Sequence, residues 1–463
     1  MKKLFTLLFI SFCWQLLAQD EEDPLSIRLI FDFELTESKA YPWLQDLCLN
    51  IGHRLSGSEA AAKAVDWAYN ELNRLGADSV WLQPVMVPHW VRGKKEQAGI
   101  YFERYMMPVE ITALGGSVAT PEEGLKAEVV EVHNFEELKV LGEAGVKGKI
   151  VFFNRPMDPH HINTFHAYGG CVDQRWGGAL EAAKYGAVGV VVRSMGLRSD
   201  NFPHTGSMGY EEGVPKIPAC AISTNDADRL HEAIAHGKGV KFEFAQSCET
   251  LPDVLSYNVV AEIRGSEFPD EIILIGGHLD SWDIGHGAHD DGAGCVHSME
   301  ALRAITNLGL QPKRTIRVVL FMNEENGLRG AKEYARLTKE NGWKHIAAIE
   351  SDRGGFTPRG YSIQGTVQMR EYITQWRDIL EPYGLHYFEP GGGGADIGPL
   401  KTDDNVLIGF VPDSQRYFDV HHAATDTFDS VNKRELELGA ASVIALVYLI
   451  DKYGLPPKEN QNP

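Results

Sequence analysis

The fold of this chain is decided by a stretch that reads EIILIGGHLDSWD (271–283), GAHDDGAG (287–294) and RVVLFMNEENG (317–327). Its two apolar runs, IILIG and RVVLF, are short, branched and nearly continuous. Such runs are typical of strands that are covered on both faces, as in the parallel sheet of an α/β domain. A polar turn and a helix-like segment separate them. The stretch therefore predicts a buried strand, a helix and a second buried strand.

Imidazole and carboxylate side chains follow each of these predicted strands. In open α/β sheets the functional residues collect just past the carboxyl ends of the strands. The residues that fall there are His278 and Asp280 after the first strand, Glu324 and Glu325 after the second, and Asp290 and Asp291 in the loop between. A third apolar run, IAAIESD, ends on Asp352, and YFDVHHAATDT (417–427) contains His421 and His422.

This set of residue types favours a metal centre. Several carboxylates could be buried together only if cations neutralised them. Imidazole and carboxylate groups are usual ligands of zinc. Taken singly, each residue could equally be a helix-capping carboxylate or a surface histidine. Their common position at strand ends favours the metal interpretation.

The motifs GGHLDSWD, DDGAG, NEENGLRGA, ESD, PGGGGADIGPL and HHAATDT occur in this order along the chain. In sequence and order they resemble the co-catalytic di-zinc exopeptidases, which include secreted bacterial leucyl aminopeptidases and the glutamate carboxypeptidases. The resemblance covers nearly the whole mature chain. It implies a three-layer α/β/α zinc exopeptidase domain with a mostly parallel sheet, an architecture that the alternation of strand-like and helix-like segments also favours.

The resemblance also implies a ligand set for two Zn²⁺ ions per chain. Asp290 is expected to bridge the ions, with His278 and Asp352 completing one site and Glu325 and His422 the other. Glu324 is expected to take the proton of the water shared by the two ions and to pass it to the leaving amine. Asp280 is expected to fix the tautomer of the His278 imidazole.

Two further parts of the site follow from the same resemblance. Many relatives have Tyr just before the last metal-binding histidine, whereas this chain has His421, whose imidazolium is expected to support the oxyanion. The reverse assignment, with His421 as the ligand instead of His422, stays open. Glycines let the backbone approach a ligand closely, so Gly392, Gly393 and Asp396 are expected to form a substrate-side loop.

A chain of 463 residues exceeds what a single core usually serves. Residues 1–18 have the form of a signal peptide, whose apolar run of about 15 residues is shorter than the roughly 20 needed to span a bilayer. The predicted divisions are a catalytic N-terminal part (19–114), an inserted protease-associated-like domain (115–250) and the main catalytic part (251–463). The insert contains a loop (157–170) with His160, His161 and His166, which is expected to face solvent or to close over the substrate.

Composition excludes some partners. The formal net charge is −20 and no run is rich in Lys or Arg, which argues against nucleic acid or an anionic membrane as a partner. The expected mature chain has five widely spaced cysteines. An odd number of widely spaced cysteines does not indicate a disulfide framework, although the sequence leaves open whether one disulfide bond forms.

The sequence therefore predicts a secreted or periplasmic metallo-exopeptidase that cuts short peptides, dipeptides first. An aminopeptidase acting on longer peptides is the alternative within the family. Two other classes share the fold: a glutaminyl cyclase with one zinc, and a transferrin-receptor-like binding protein that lacks the metal ligands. No membrane span is expected in the mature chain, and a homodimer is left open.

Overall fold

The computed structural model describes residues 22–102 and 105–456. Within them the chain forms two eight-stranded sheets surrounded by helices. The first sheet contains β1 (Ser79–Val91), β10 (Glu249–Ile263), β11 (Phe268–His278), β12 (Arg314–Phe321), β13 (Lys344–Glu350), β14 (Pro358–Gln364), β15 (Tyr387–Pro390) and β16 (Val406–Pro412). The expected α/β class is confirmed.

The first sheet is mixed, with the order β1-β10-β12-β11-β13-β16-β14-β15. Its four central strands, β12, β11, β13 and β16, run parallel to one another. Antiparallel pairs join β1 to β10, β10 to β12, and β14 to β16. The carboxyl ends of the central strands therefore meet at one edge of the sheet, where the chemistry was expected.

Helices cover both faces of this sheet. They are α1 (22–37), α2 (Ala40–Asp46), α3 (Glu59–Arg74), α9 (Ala293–Asn307), α10 (Arg329–Asn341), α11 (Val367–Thr374), α12 (Arg377–Leu380) and α13 (Lys433–Tyr453). Because side chains alternate along a strand, Ile273 and Ile275 pack in the core that includes α9 and α13. Leu274 packs in a second core with Tyr334 of α10.

The second sheet has the order β3-β2-β9-β5-β6-β7-β8-β4. Its strands are β2 (Gln97–Phe102), β3 (Tyr105–Val109), β4 (Ile111–Ala113), β5 (Leu125–Val132), β6 (Ile150–Phe153), β7 (Gly189–Arg193), β8 (Ala219–Ile222) and β9 (Lys241–Ala245). Three of them precede residue 115, where the insert was expected to begin. The difference has a simple cause, since β2 pairs with β9 and β4 with β8, so both must belong to this sheet.

Short helices pack around the second sheet: α4 (Phe135–Val146), α5 (Thr164–Gly169), α6 (Asp173–Trp176), α7 (Gly178–Ala183) and α8 (Thr224–His236). The signal peptide expected over residues 1–18 lies outside the described residues. In the described part, no helix is long and apolar enough to cross a membrane. The five cysteines there, Cys48, Cys171, Cys220, Cys248 and Cys295, are all unbridged and buried.

Candidate metal centre

The first group of candidate ligands gathers at the ends of β11 and β13. His278 Nε2 lies 3.2 Å from Asp290 Oδ1 and 3.4 Å from Asp352 Oδ1. His278 is the last residue of β11, and Asp352 follows β13 by two positions, so the parallel register brings them together. Asp290 enters from a π-helical turn (Ala288–Gly292) ahead of α9. One atom from each of these three residues could contact a single ion.

The second group forms on the other oxygen of Asp290. His422 Nε2 lies 3.3 Å from Asp290 Oδ2 and 3.2 Å from Glu325 Oε2. His422 has a backbone φ of 59°, which is uncommon for a residue with a side chain and often occurs at functional sites. Asp290 thus takes part in both groups, and the two sets of expected ligands do converge.

The electrostatics of these groups fit a cationic occupant. Burial lowers the pKa of His422, but Glu325 and Asp290 outweigh that effect and raise it to about 9. Burial also opposes protonation of His278, yet the carboxylate of Asp352 and the hydrogen bond to Asp290 raise its pKa well above the usual value. Asp290 Oδ2 and Asp352 Oδ1 are buried and have no hydrogen-bond partner in the part of the chain that the structure describes. Carboxylates and imidazoles with free atoms directed at one another are the donor set that zinc takes.

His421 lies directly against this pair of groups. Its ring stacks on His422 with centroids 3.6 Å apart, and its Nε2 is 3.8 Å from Asp290 Oδ2. Either histidine could join Asp290 at a metal, but His422 has the closer contacts. Burial, with His422 beside it, lowers the pKa of His421 well below its usual value. The expected imidazolium is therefore disfavoured, and a neutral ring offers one N–H instead.

Asp280 differs from its expected role. The Nδ1 atom of His278 is 3.0 Å from the backbone carbonyl of Asp280 but 3.9 Å from its carboxylate. The carbonyl, which can only accept, therefore fixes the tautomer of His278. The Asp280 carboxylate instead accepts the backbone N–H groups of Asn323 at 2.7 Å and Glu324 at 3.1 Å. It positions the turn on which Glu324 stands.

Glu324 lines the same cavity as the candidate ligands Asp290, Glu325, Asp352 and His422. Burial raises the pKa of Glu324 well above its usual value, and the carboxylates of Asp352 and Glu325 add to the effect while His278 opposes it. A bound cation would lower that pKa again. A carboxyl group in this place has the surroundings of a general base.

Three residues support the site through contacts with backbone groups that the sequence did not predict. The buried Asp426 carboxylate accepts the backbone N–H groups of His289 at 2.8 Å and Asp290 at 3.1 Å. Asp291 accepts the backbone N–H of His278 at 3.1 Å. Arg54 donates to the backbone carbonyls of residues 279, 286 and 287. Asp291 and Asp426 lie in quoted motifs and Arg54 lies outside them, but nothing in the sequence indicated which backbone groups any of the three would bind.

The glycine run lies elsewhere than expected. Gly392, Gly393 and Asp396 are not among the residues that line the cavity in the described part of the chain. A Cβ at Gly394 would lie 2.1 Å from the Glu350 carboxyl carbon, and Glu350 accepts the backbone N–H groups of Ala395 and Ile397, each at 2.8 Å. The run lets the backbone close over Glu350. Burial, with Glu350 nearby, raises the pKa of Asp396 well above its usual value.

The cavity in front of the candidate ligands has a volume of about 630 Å³. One wall comes from the first sheet and the turns at its edge. The opposite wall comes from the region of the second sheet and consists of Phe165, Tyr168, Arg175, Trp176, Ser207 and Met208. The loop expected to face solvent or close over the substrate thus contributes Phe165 and Tyr168, while its histidines, His160, His161 and His166, are exposed.

The two walls are joined at the loop that contains His422. Thr205 donates its backbone N–H to the His422 carbonyl at 2.8 Å, and His204 forms a β-bridge with Ala423. The Nδ1 atom of His422 lies 3.3 Å from the Thr205 carbonyl. That carbonyl can only accept, so it favours the tautomer that leaves Nε2 free for a metal.

Comparison with known proteins agrees with this arrangement. Residues 258–447 match the family described as "Peptidase family M28". The chain is 37% identical to carboxypeptidase Q of Homo sapiens over 414 residues, which covers 89% of this chain and 85% of that protein. Carboxypeptidase Q of Xenopus laevis is 38% identical over 89% of this chain and 86% of that protein.

Solved structures give the same answer. The crystal structure of a peptidase M28 precursor from Shewanella amazonensis superposes with a TM-score of 0.89 at 36% identity, covering 95% of this chain and 100% of that one. A zinc aminopeptidase from Bacillus subtilis shares the fold, with a TM-score of 0.64 at 19% identity over 90% of this chain and 96% of that one. The chain belongs to peptidase family M28. It is a zinc metallopeptidase.

Proposed function

We propose that this protein is an exported di-zinc exopeptidase that hydrolyses short peptides, dipeptides foremost. The observation that carries the proposal is the double use of Asp290, whose two carboxylate oxygens face His278 and His422. A carboxylate shared in this way is what a pair of neighbouring ions requires. Similarity to carboxypeptidase Q favours cleavage near a carboxyl terminus.

In this proposal His278, Asp290 and Asp352 hold one zinc ion, and Asp290, Glu325 and His422 hold the other. Zinc supplies a Lewis acid that polarises the scissile carbonyl and lowers the pKa of water. Glu324 takes a proton from the attacking water and delivers it to the leaving amine. His421 donates its ring N–H to the oxygen that gains negative charge. The Asp280 carboxylate keeps Glu324 in place through the backbone N–H groups at 323 and 324.

The domain organisation belongs to the same proposal. Residues 1–18 direct export and are removed, which makes the site extracytoplasmic. The first sheet and its helices form the catalytic domain, and the protease-associated-like insert, whose sheet also includes β2, β3 and β4 ahead of residue 115, supplies the far wall of the cavity. The size of the cavity supports a short substrate, because the space between its two walls has a volume of about 630 Å³.

A combined metal and substrate experiment tests the proposal. The purified mature chain should contain two zinc ions, lose activity when a chelator removes them, and regain it when zinc is restored. Free dipeptides should be cut faster than longer peptides. One zinc ion at full activity, with cyclisation of N-terminal glutaminyl peptides, would point to a cyclase instead. Faster release of N-terminal residues from longer peptides would point to an aminopeptidase.

A further inference from the structure

One buried arginine stands on the wall of the cavity that comes from the second sheet. Arg175 lies in α6, is 6% exposed and lines the same cavity as Asp290, Glu324 and His422. The Nη1 atom of Arg175 is 3.3 Å from His422 Nδ1, so the side chain lies next to the candidate metal centre. A permanent positive charge therefore lies beside the place where the proposed reaction occurs.

The charge of Arg175 is not matched by an anion. Within the described part of the chain its hydrogen-bond acceptors are neutral: the Tyr168 hydroxyl at 2.8 Å and the Thr205 carbonyl at 3.4 Å. Its Nε has no hydrogen-bond partner among the same described residues. Arg303 and Arg317, by contrast, are paired with carboxylates: Arg303 is 2.5 Å from Glu300, and Arg317 is 2.7 Å from Glu262. Arg54 has no carboxylate partner either, but backbone carbonyls accept from all three of its nitrogens. A buried cation with unused donors and an open cavity beside it is suited to an anionic ligand.

The guanidinium is also fixed in position. A Cβ at residue 206 would lie 2.4 Å from the Arg175 Cζ atom, and Gly206 has a φ of +136°, a conformation that other residues rarely adopt. The Tyr168 ring centroid is 5.6 Å from Cζ, and the Tyr168 hydroxyl accepts a hydrogen bond from Nη2. These contacts hold the planar group without an acidic partner. An arginine that is already ordered loses little entropy when it binds a carboxylate.

Arg175 is not needed to orient His422. When His422 uses Nε2 for a metal, its Nδ1 carries the proton, which the Thr205 carbonyl accepts. Arginine only donates, so it cannot also bond to that Nδ1. The close contact between Arg175 and His422 is therefore not a hydrogen bond. The donors of Arg175 remain available to another group.

We propose that Arg175 binds the free α-carboxylate of the residue that leaves, so that the enzyme removes a single C-terminal residue. This inference rests on the proposed function and names its substrate class. In such a substrate the carboxylate carbon lies within about 4 Å of the scissile carbonyl carbon. An anchor for it must therefore be close to the metal centre, as Arg175 is. Guanidinium and carboxylate form paired hydrogen bonds of matching geometry.

The test compares a free dipeptide with its C-terminal amide, which keeps the shape and lacks the charge. The zinc-loaded native enzyme should favour the free acid through a lower KM. Arg175→Met should raise KM for the acid about 10–100-fold, the loss of one charge-assisted hydrogen-bonding group, and should leave the amide little changed. Arg175→Lys should recover only part of the loss, because ammonium cannot bond in the paired manner.

A matched control comes from the same region. Arg193 of β7 is paired with Asp228 at 2.6 Å and does not line the cavity, so Arg193→Met should retain both KM values. Zinc content is measured in every variant, because a role exercised only through His422 would show as zinc loss. Equal losses for acid and amide in Arg175→Met, or an acid preference that survives in that variant, would overturn the assignment.

Binding separates this inference from the proposed function. Calorimetry with the zinc-loaded Glu324→Gln chain measures the affinity for an intact dipeptide and for its amide, with and without Arg175→Met. A chain that binds the acid through Arg175 but hydrolyses neither compound in its native form contradicts the proposed function alone. A chain that hydrolyses dipeptides but binds acid and amide equally contradicts the Arg175 assignment alone.

Discussion

Two groups of carboxylates are buried in this protein, and they are accommodated in different ways. At the ends of the central strands, Asp290 and its neighbours face histidines and an open cavity, and some of their oxygens have no partner. Between α1 and α9, Glu300 is hydrogen-bonded to Ser38 and Arg303, at 3.1 and 2.5 Å.

Glu34 lies beside Glu300 and is fully buried. Neither of its oxygens has a hydrogen-bond partner among the described residues, and Arg303 Nη2 is 3.9 Å from Oε1. Burial and Glu300 raise the pKa of Glu34 to about 9, although Arg303 opposes this. The same residue type thus lies among candidate metal ligands where imidazoles and a cavity accompany it. Where helices surround it, burial raises its pKa and favours the neutral acid. The surroundings, more than burial alone, decide which outcome occurs.

The sharpest test of the first group is Glu324→Gln, which keeps the size of the side chain and removes its ability to accept a proton. We expect kcat to fall by about 10²–10⁴-fold while both zinc ions remain. Glu325→Gln is the adjacent control, and it should lower zinc content because it weakens a ligand. Measuring kcat together with zinc content in both variants distinguishes the loss of a general base from the loss of a metal ligand. If the two variants exchanged these results, the assignment along the turn after β12 would be wrong.

Substitution of His421 and substitution of His422 should have different effects on zinc content and on kcat. His421→Ala should retain zinc and ground-state binding but lower kcat by roughly 10²–10³-fold, as loss of an oxyanion donor does. His422→Ala should lose zinc together with activity. Metal analysis of both variants decides the assignment, and the opposite pattern of zinc loss would reverse it.

The pH dependence of His421 follows from its surroundings. Because its pKa is lowered well below the usual value, the ring is neutral above that lowered pKa and donates the same N–H across the neutral and alkaline range. The ratio of kcat between the native enzyme and His421→Tyr should therefore stay constant as the pH rises from about 6 to 9. A fall in native activity that His421→Tyr does not share would indicate an imidazolium donor.

Asp426→Asn tests the support behind the metal centre. Its carboxylate accepts two backbone N–H groups, one of them from Asp290, so the amide should loosen the shared ligand. Loss of such a supporting group typically costs about 10–100-fold in metal affinity or activity. Competition with a chelator measures the zinc affinity. Asp429→Asn, an exposed position three residues further along, should leave that affinity unchanged.

The convergence of the ligands was predictable because it depends on local rules. Short apolar runs predict strands, and parallel strands bring the residues after their carboxyl ends to one edge. His278, Glu325 and Asp352 needed no further information. Asp280 shows where this reasoning stops, since its carboxylate and its carbonyl bind different partners and a sequence does not distinguish them.

The far wall of the cavity could not be predicted in the same way. Arg175 and Thr205 meet His422 across 247 and 217 positions of the chain, and no periodicity connects such distant segments. The glycine run failed for a related reason: its pattern indicated close backbone approach, which does occur, but the group approached is Glu350. A run of glycines predicts that another group lies close to the backbone, but it does not identify that group.

The smallest expected effect on catalysis concerns the carboxylates between α1 and α9, where a change of stability is expected instead. The folded pKa of Glu34, about 9, lies above its ordinary value of 4.5, so the folded protein binds the extra proton. This contribution to stability is fully present below about pH 4.5 and is lost as the pH rises towards about 9. Glu34→Gln stays neutral, and it should therefore match the native chain at about pH 5 and exceed its unfolding free energy by several kcal/mol at about pH 8.5, since each pH unit between the two pKa values is worth about 1.4 kcal/mol.

Thermal and denaturant unfolding of the zinc-loaded chains at several pH values measures this difference. Glu300→Gln provides the contrast: Glu300 accepts hydrogen bonds from Ser38 and Arg303, so its neutralisation should destabilise the fold at every pH in that range. Catalytic constants should be unchanged in Glu34→Gln, because the residue is remote from the cavity. A stability difference that stayed constant with pH would show that Glu34 is ionised and paired, and the two carboxylate groups would then differ less than their surroundings indicate.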